Sequence, residues 1–185
     1  DDCDQRCECD ENRRVQCFRM RKEFSTVMTE AERTMYIQAV IAAANAPAGP
    51  SGANEWTTAV DWHRQQFSAG IHGTGLFLPW HRWYVMSMEN ILRKVPLPGF
   101  PNGNCKITVP YFDWRLAQHW PLSTSTLGMW ADRSDGLGGV NGGSSPSPFA
   151  NWQAPTSKSS AGVIRSSPMT RSLHGTSAAS VQDIE

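Results

Sequence analysis

The stretch His72-Gly-Thr-Gly-Leu-Phe-Leu-Pro-Trp-His-Arg-Trp-Tyr84 decides how the fold of this 185-residue chain is interpreted. It contains two histidines nine positions apart, His72 and His81, and His63 lies nine positions before the first of them. Neutral imidazole is a ligand that suits copper, zinc, iron and nickel, so three histidines that converge on one point define a metal site. The question is therefore whether the fold brings these side chains together.

The sequence around the histidines predicts two helices joined by a loop. Within residues 55–67, apolar residues and His63 recur at the i, i+3/i+4 spacing of an amphipathic helix. A second helix is predicted over 79–95, because proline is tolerated in a first helical turn and another proline follows the last residue. His63 and His81 then belong to two core helices, and His72 belongs to the glycine-rich loop between them.

The ordinary alternative is that these histidines are structural. A single histidine on an apolar helix face is more often a hydrogen-bonded core residue than a metal ligand. Two on neighbouring helices, with a third on the connecting loop, favour a metal site instead. Spacing does not choose the metal, because three histidines with an open position also describe a catalytic zinc.

Three segments carry a resemblance to a known family. They are the run 61–89 around the histidines, Ile107-Thr-Val-Pro-Tyr-Phe-Asp-Trp114 and Ser147-Pro-Phe-Ala-Asn-Trp152. Together they resemble the copper A half of tyrosinases and their type-3 copper relatives, which include catechol oxidases and molluscan haemocyanins. The second segment is similar to the family's I-P-Y-W-D-W signature, with Phe112 in place of the usual tryptophan. The resemblance covers about residues 55–152.

The resemblance implies a mainly α fold: the N-terminal part of a tyrosinase-like helical-bundle copper domain with long irregular loops. It implies that His63, His72 and His81 are the three copper A ligands. It also implies that Phe77 packs beside the metals and that Glu89 is an acidic residue on the helix of the third ligand.

Two departures from the family pattern limit what the resemblance implies. Many members have a cysteine two residues before the second ligand, linked to it by a thioether, and this chain has Gly70 there. The second copper site needs an H-x3-H pair and a further histidine. Beyond residue 81 the sequence contains only His119 and His174, neither of which has a partner at helical spacing. We interpret both as ordinary polar residues.

The chain divides into three predicted regions. Residues 1–20 form a cysteine-rich, disulfide-pinned segment, and residues 21–120 form the copper A helical half-domain. Within it, the capping-box sequence 29–32 opens a helix that should run to about Asn45. Residues 121–185 are rich in Ser, Gly and Pro and are predicted to be loop. This last region is expected to lead to a copper B half that lies outside the sequence.

The function that the resemblance implies is oxidation of phenols or ortho-diphenols to quinones with dioxygen. The expected cofactor is copper, with two ions in the full-length protein and one site in these residues. The remainder of the same polypeptide, or a second chain, is expected to carry copper B, and the fragment alone to be inactive. Two alternatives stay open: a haemocyanin-like oxygen carrier, and a non-catalytic secreted matrix protein of the same fold.

Composition sets the remaining expectations. The net charge is zero and the pI is near 7.1, which favours neither nucleic acid nor an anionic membrane as a partner. The longest apolar run is too short to span a bilayer. Four of the five cysteines fall within residues 3–17. Zinc binding there is possible, but the pattern lacks paired C-x2-C knuckles and favours disulfides in a secreted protein or a secretory lumen.

Overall fold

The computed structural model of the chain is mainly helical, as predicted. It describes residues 5–9, 11–12, 14–50, 52–116, 129–131, 133–138, 147–149, 153–158 and 164–168. The helices in these residues are α1 (Glu30–Ala44), α2 (Glu55–Gln66) and α3 (Phe77–Lys94), with a 3-10 turn at Phe67–Ala69. Two separate antiparallel hairpins flank them: β1 (Gln5–Cys9) with β2 (Val15–Arg19), and β3 (Gln153–Lys158) with β4 (Ile164–Pro168). No described helix is both long and apolar enough to cross a membrane.

Helix α1 begins at the predicted capping box. The Thr29 hydroxyl accepts a hydrogen bond from the Glu32 backbone N–H at 3.2 Å, and the Glu32 carboxylate accepts one from the Thr29 backbone at 2.8 Å. This reciprocal pair satisfies backbone donors that the first helical turn cannot satisfy itself. The helix ends at Ala44, with Asn45 as its C-cap, within one residue of the predicted end.

Asn54 fixes the start of α2 against the end of α1. Its side-chain oxygen accepts a hydrogen bond from the Thr57 backbone at 2.8 Å, which is a typical N-cap contact. Its amide nitrogen donates to the carbonyl oxygens of Ala44 and Ala46 at 3.1 and 2.8 Å. One buried side chain therefore sets the approach of the helix that carries His63.

Helix α3 begins two residues earlier than the sequence predicts. Its first residue is Phe77, whose N–H donates to the Thr74 carbonyl at 3.1 Å. Pro79 is then the third residue of the helix rather than its start. This position is allowed because the first four N–H groups of a helix have no intrahelical partner, so the missing donor of proline costs little there.

The core consists of two clusters that share helix α1. One joins α1 to the end of α3 and the following loop; its buried members are Ala39, Ala43, Leu92, Leu97 and Ile107. The other joins α1 to residues before and after the helices; its buried members are Phe24, Ile37, Met129 and Phe149. Helix α1 therefore contributes buried residues to both clusters.

The segment before α1 is tied to the 107–113 segment. Glu23 and Tyr111 form a parallel bridge, with the Phe24 N–H donating to the Tyr111 carbonyl and the Tyr111 N–H donating to the Lys22 carbonyl, each at 3.0 Å. The buried Glu23 carboxylate accepts hydrogen bonds from Thr26 at 2.7 and 2.8 Å. These contacts hold the signature-like segment 107–113 against the segment that precedes α1.

The termini differ from the sequence prediction. Residues 121–185 were expected to be loop, but they contain the β3–β4 hairpin, in which Gln153 pairs with Pro168 and Lys158 with Ile164. The 1–20 segment contains the β1–β2 hairpin, which the cysteine pattern does not predict. Strands pair through backbone groups, and short polar strands of this kind carry little hydrophobic periodicity.

The disulfide framework of residues 1–20 stays a prediction. Cys105 is disulfide-bonded, and Cys9 carries a free, exposed thiol. The other cysteine side chains lie outside the described residues.

Three glutamates predict that the fold loses stability in acid. For Glu23, Glu32 and Glu89, burial works to raise the pKa, but hydrogen bonds, joined for Glu32 and Glu89 by nearby cations, outweigh it and hold each pKa below the usual 4.5. A carboxyl with a depressed folded pKa contributes its full stability above the unfolded pKa and loses it as pH falls through the folded value. We expect these three carboxyls to cause no change in melting temperature from pH 7 to about 5 and to lower it below about pH 4.5. Thermal unfolding followed by circular dichroism measures this, and equal melting temperatures at neutral and strongly acidic pH would contradict it.

Candidate metal centre

The fold brings the three histidines of the H-x8-H-x8-H pattern together. One ligand nitrogen from each of His63, His72 and His81 lies within 4.8 Å of the other two. The Nε2 atoms of His63 and His81 are 3.3 Å apart. All three side chains are half-buried, so an ion among them could reach solvent or a ligand.

The backbone orients His81. Its Nδ1 lies 2.7 Å from the carbonyl oxygen of Phe77, one helical turn earlier. A carbonyl only accepts, so Nδ1 carries the proton and Nε2 presents its lone pair toward His63. A hydrogen bond of this kind fixes the tautomer and the direction of a metal-binding imidazole.

His63 is held in the neutral form that metals bind. Burial lowers its pKa, and the nearby imidazoles of His81 and His72 lower it further. The ring therefore offers a lone pair at neutral pH, without a proton that a metal would have to displace.

The observed spacing fits a nitrogen-ligated ion. Imidazole nitrogens lie about 2.0–2.1 Å from a tetrahedral metal, which places two of them about 3.3–3.4 Å from each other. The 3.3 Å separation of the two Nε2 atoms matches this distance. The Nδ1 of His72 is buried and has no hydrogen-bond partner among the described residues.

Aromatic rings surround the histidine group on the helix side. Trp80 stacks on Trp62 and on Tyr84, with ring centroids 4.9 and 5.2 Å away, and the Trp62 and Tyr84 centroids are 6.5 Å apart, so the three rings form a cluster. Tyr84 also lies 5.1 Å from the His63 ring, and its hydroxyl donates to the Ala59 carbonyl at 3.2 Å. The cluster joins α2 to α3 beside the histidines.

The two other predicted site residues have different places. Phe77 packs beside the histidines, with its ring centroid 4.4 Å from His81 and 6.0 Å from His72. Glu89 lies two helical turns beyond His81, where its carboxylate accepts hydrogen bonds from Arg21, Arg93 and the Val109 backbone at 2.7, 2.9 and 3.1 Å. Its contacts hold helix α3 in place. His119 and His174 lie outside the described residues.

Comparison with known proteins identifies the family. A family model described as the common central domain of tyrosinase matches residues 53–183, which is more than half of the chain. The chain belongs to the tyrosinase family. All three clustered histidines fall within the matched region, and tyrosinase membership implies copper as the metal that such a group holds.

Individual tyrosinase relatives match shorter parts of the chain. A tyrosinase of Oryzias latipes is 39% identical over 56 residues, 30% of this chain and 9% of the relative. A putative tyrosinase-like protein, tyr-3, of Caenorhabditis elegans is 31% identical over 97 residues, 52% of this chain and 12% of the relative. Tyrosinase P of Aspergillus terreus is 33% identical over 108 residues, 54% of this chain and 27% of the relative. The chain thus spans about a quarter or less of these relatives, and no solved structure matches it.

The sequence reasoning missed two rings that contact the tyrosinase histidine group. Tyr84 lies three residues after His81, and Phe67 lies four residues after His63, so both share a helix side with a histidine. The three- and four-residue spacing from a histidine could have predicted that these rings lie beside the histidine group. Phe67 was instead interpreted as part of a buried apolar stripe, whereas the structure leaves 63% of its side chain exposed.

Proposed function

We propose that this chain is the N-terminal part of a copper-dependent phenol oxidase that converts phenols or ortho-diphenols to quinones with dioxygen. The observation that carries the proposal is the convergence of three imidazoles in a member of the tyrosinase family. When bound, copper supplies the redox chemistry that transfers electrons from the phenol to dioxygen.

The residues of this chain have three tasks in that reaction. His63, His72 and His81 hold one ion and leave part of its surface open. The carbonyl of Phe77 keeps the Nδ1 proton on His81, so that Nε2 stays available. The ring of Trp80 packs on Trp62 and Tyr84 and so joins the two helices that carry His63 and His81.

The second copper is proposed to lie outside residues 1–185. A two-electron oxidation of a diphenol by one copper ion would need a second electron acceptor, and the sequence has no second group of histidines at ligand spacing. The small share of each relative that the chain covers supports a longer polypeptide. The disulfide bond of Cys105 supports folding in an oxidising secretory compartment. Detection of the protein in the medium of expressing cells would check this.

Catechol oxidation tests the proposal. We expect the copper-loaded longer polypeptide to form quinone with matching oxygen consumption, and the 185-residue chain to bind one copper and remain inactive. The measurement is quinone absorbance together with an oxygen electrode, with free copper at the same concentration as the control. Turnover by the isolated chain above that control would overturn the two-ion proposal. A copper-loaded longer polypeptide that binds oxygen without turnover would favour the carrier alternative.

A further inference from the structure

His72 differs from the other two histidines because no helix carries it. It lies in the loop between the 3-10 turn and α3, where Gly70 and Gly73 have φ of 84° and 70°, in the left-handed region. Thr74 closes this loop: its hydroxyl donates to the Gly70 carbonyl and accepts from the Leu76 N–H at 3.2 Å. These contacts fix the backbone of the loop, and neither of them involves the imidazole.

Hydrogen bonds do not orient the His72 ring. Its Nδ1 is buried, yet it has no hydrogen-bond partner among the described residues. The contrast is His81, whose Nδ1 lies 2.7 Å from a backbone carbonyl. Since such a bond normally sets the direction of a metal-binding imidazole, some other contact has to set the direction of His72.

Among the residues that the structure describes, the nearest ring that could do so, apart from the histidines, is Phe67. Its centroid is 4.6 Å from that of His72, at an interplanar angle of 36°, whereas Phe77 is 6.0 Å away on the other element. Phe67 follows the last residue of α2 and lies one turn after His63, so it is fixed relative to a ligand helix. Although 63% of its side chain is exposed, it covers one side of the imidazole.

We propose that Phe67 is the positioning residue of His72, and that its ring replaces the missing hydrogen bond. Ring contact limits how far the imidazole can tilt, but it does not fix a tautomer. The inference rests on the metal site of the proposed function and is independent of phenol oxidation.

Metal affinity of the 185-residue chain measures this role. Cobalt(II) is the probe, because its visible spectrum reports the coordination geometry. Losing a residue that orients a ligand typically costs about 10–100-fold in affinity, so we expect Phe67→Ala to weaken binding by that factor and to alter the spectrum. Phe67→Tyr keeps the ring and should stay within about threefold of the parent chain. The matched control is Met86→Ala, which removes a similarly exposed apolar side chain from α3.

A double substitution distinguishes positioning from a general effect on folding. If Phe67 acts through His72, Phe67→Ala should cost nothing further in a His72→Ala background, since the two changes remove the same contribution. An equal penalty in both backgrounds, or a folded Phe67→Ala chain within about threefold of the parent, would overturn the proposal. If the alanine variant fails to fold by circular dichroism, Phe67→Leu is measured instead and is expected to show the same loss.

Nuclear Overhauser contacts in the metal-free chain give a second readout. We expect the contacts between the ring protons of His72 and those of His63 and His81 to be present in the parent chain and in Phe67→Tyr, and to be lost in Phe67→Ala. Their persistence in Phe67→Ala would contradict the positioning role. A parent chain that shows these contacts but binds no cobalt would count against the metal site, and the ring contacts would still decide the role of Phe67.

Discussion

Replacing His63 with alanine is expected to lower the copper affinity of the chain by more than about 100-fold. Losing a residue that only orients a ligand costs about 10–100-fold, and His63 is itself one of the three proposed ligands. Its Nε2 lies 3.3 Å from that of His81, so its removal takes away the closest pair of ligand atoms. Competition with a chelator of known affinity, with metal counted per chain, measures the loss.

The control for this change is another histidine in the same chain. His119→Ala removes an imidazole that has no ligand role in the sequence interpretation, and we expect it to leave copper affinity within about twofold to threefold. His63 is half-buried rather than fully buried, so His63→Ala should keep the helical circular dichroism spectrum. A folded His63→Ala chain with unchanged copper affinity would show that the metal binds elsewhere.

Replacing Glu89 with alanine is expected to lower the free energy of unfolding by about 3–5 kcal/mol, the usual cost of removing one partner of a buried ion pair. The side chains of Glu89 and Arg93 are only 6% and 11% exposed, and Arg21 on the other side is 37% exposed. Arg21 is partly exposed and can be hydrated again once Glu89 is removed, so we expect a cost in the lower half of that range. Urea denaturation at neutral pH measures the change.

Two further variants give this prediction its control. Glu89→Gln keeps an acceptor but loses the charge, and should cost about 1.5–3 kcal/mol. Glu55→Ala breaks the ion pair with Lys94, whose side chains are 63% and 67% exposed, and should cost less than about 1 kcal/mol. If Glu89→Ala costs no more than Glu55→Ala, the buried carboxylate does not hold helix α3 in place.

The sequence was sufficient for the helices and for the histidine group because both depend on local patterns. Thr29 and Glu32 mark the start of α1 three residues apart, and the capping box is present in the structure. The apolar spacing in 55–67 and the two prolines near α3 gave the helices that carry His63 and His81. Once both helices are formed, the connection between them is short, so the loop that carries His72 can adopt few conformations.

The contacts that hold the helices could not be predicted in the same way. Arg21 meets Glu89 across 68 positions of the sequence, and Arg33 meets Asp135 across 102. Pairs so distant in the chain leave no periodic signal, and an arginine or a glutamate looks the same in a sequence whether it is buried or solvated. The exposure of Phe67 could not be predicted for a related reason. Helical spacing predicts that Phe67 and His63 lie on the same side of the helix, but it does not predict whether another part of the chain covers that side.

The backbone bridge between Glu23 and Tyr111 affects where a shorter copper-binding unit could be excised from the chain. The family match begins at residue 53, yet Phe24 and Ile37, both at most 2% exposed, come before it. Excision at that boundary would strip away a core cluster, helix α1 and the arginine that meets Glu89. A minimal expressed unit must therefore start upstream of Arg21.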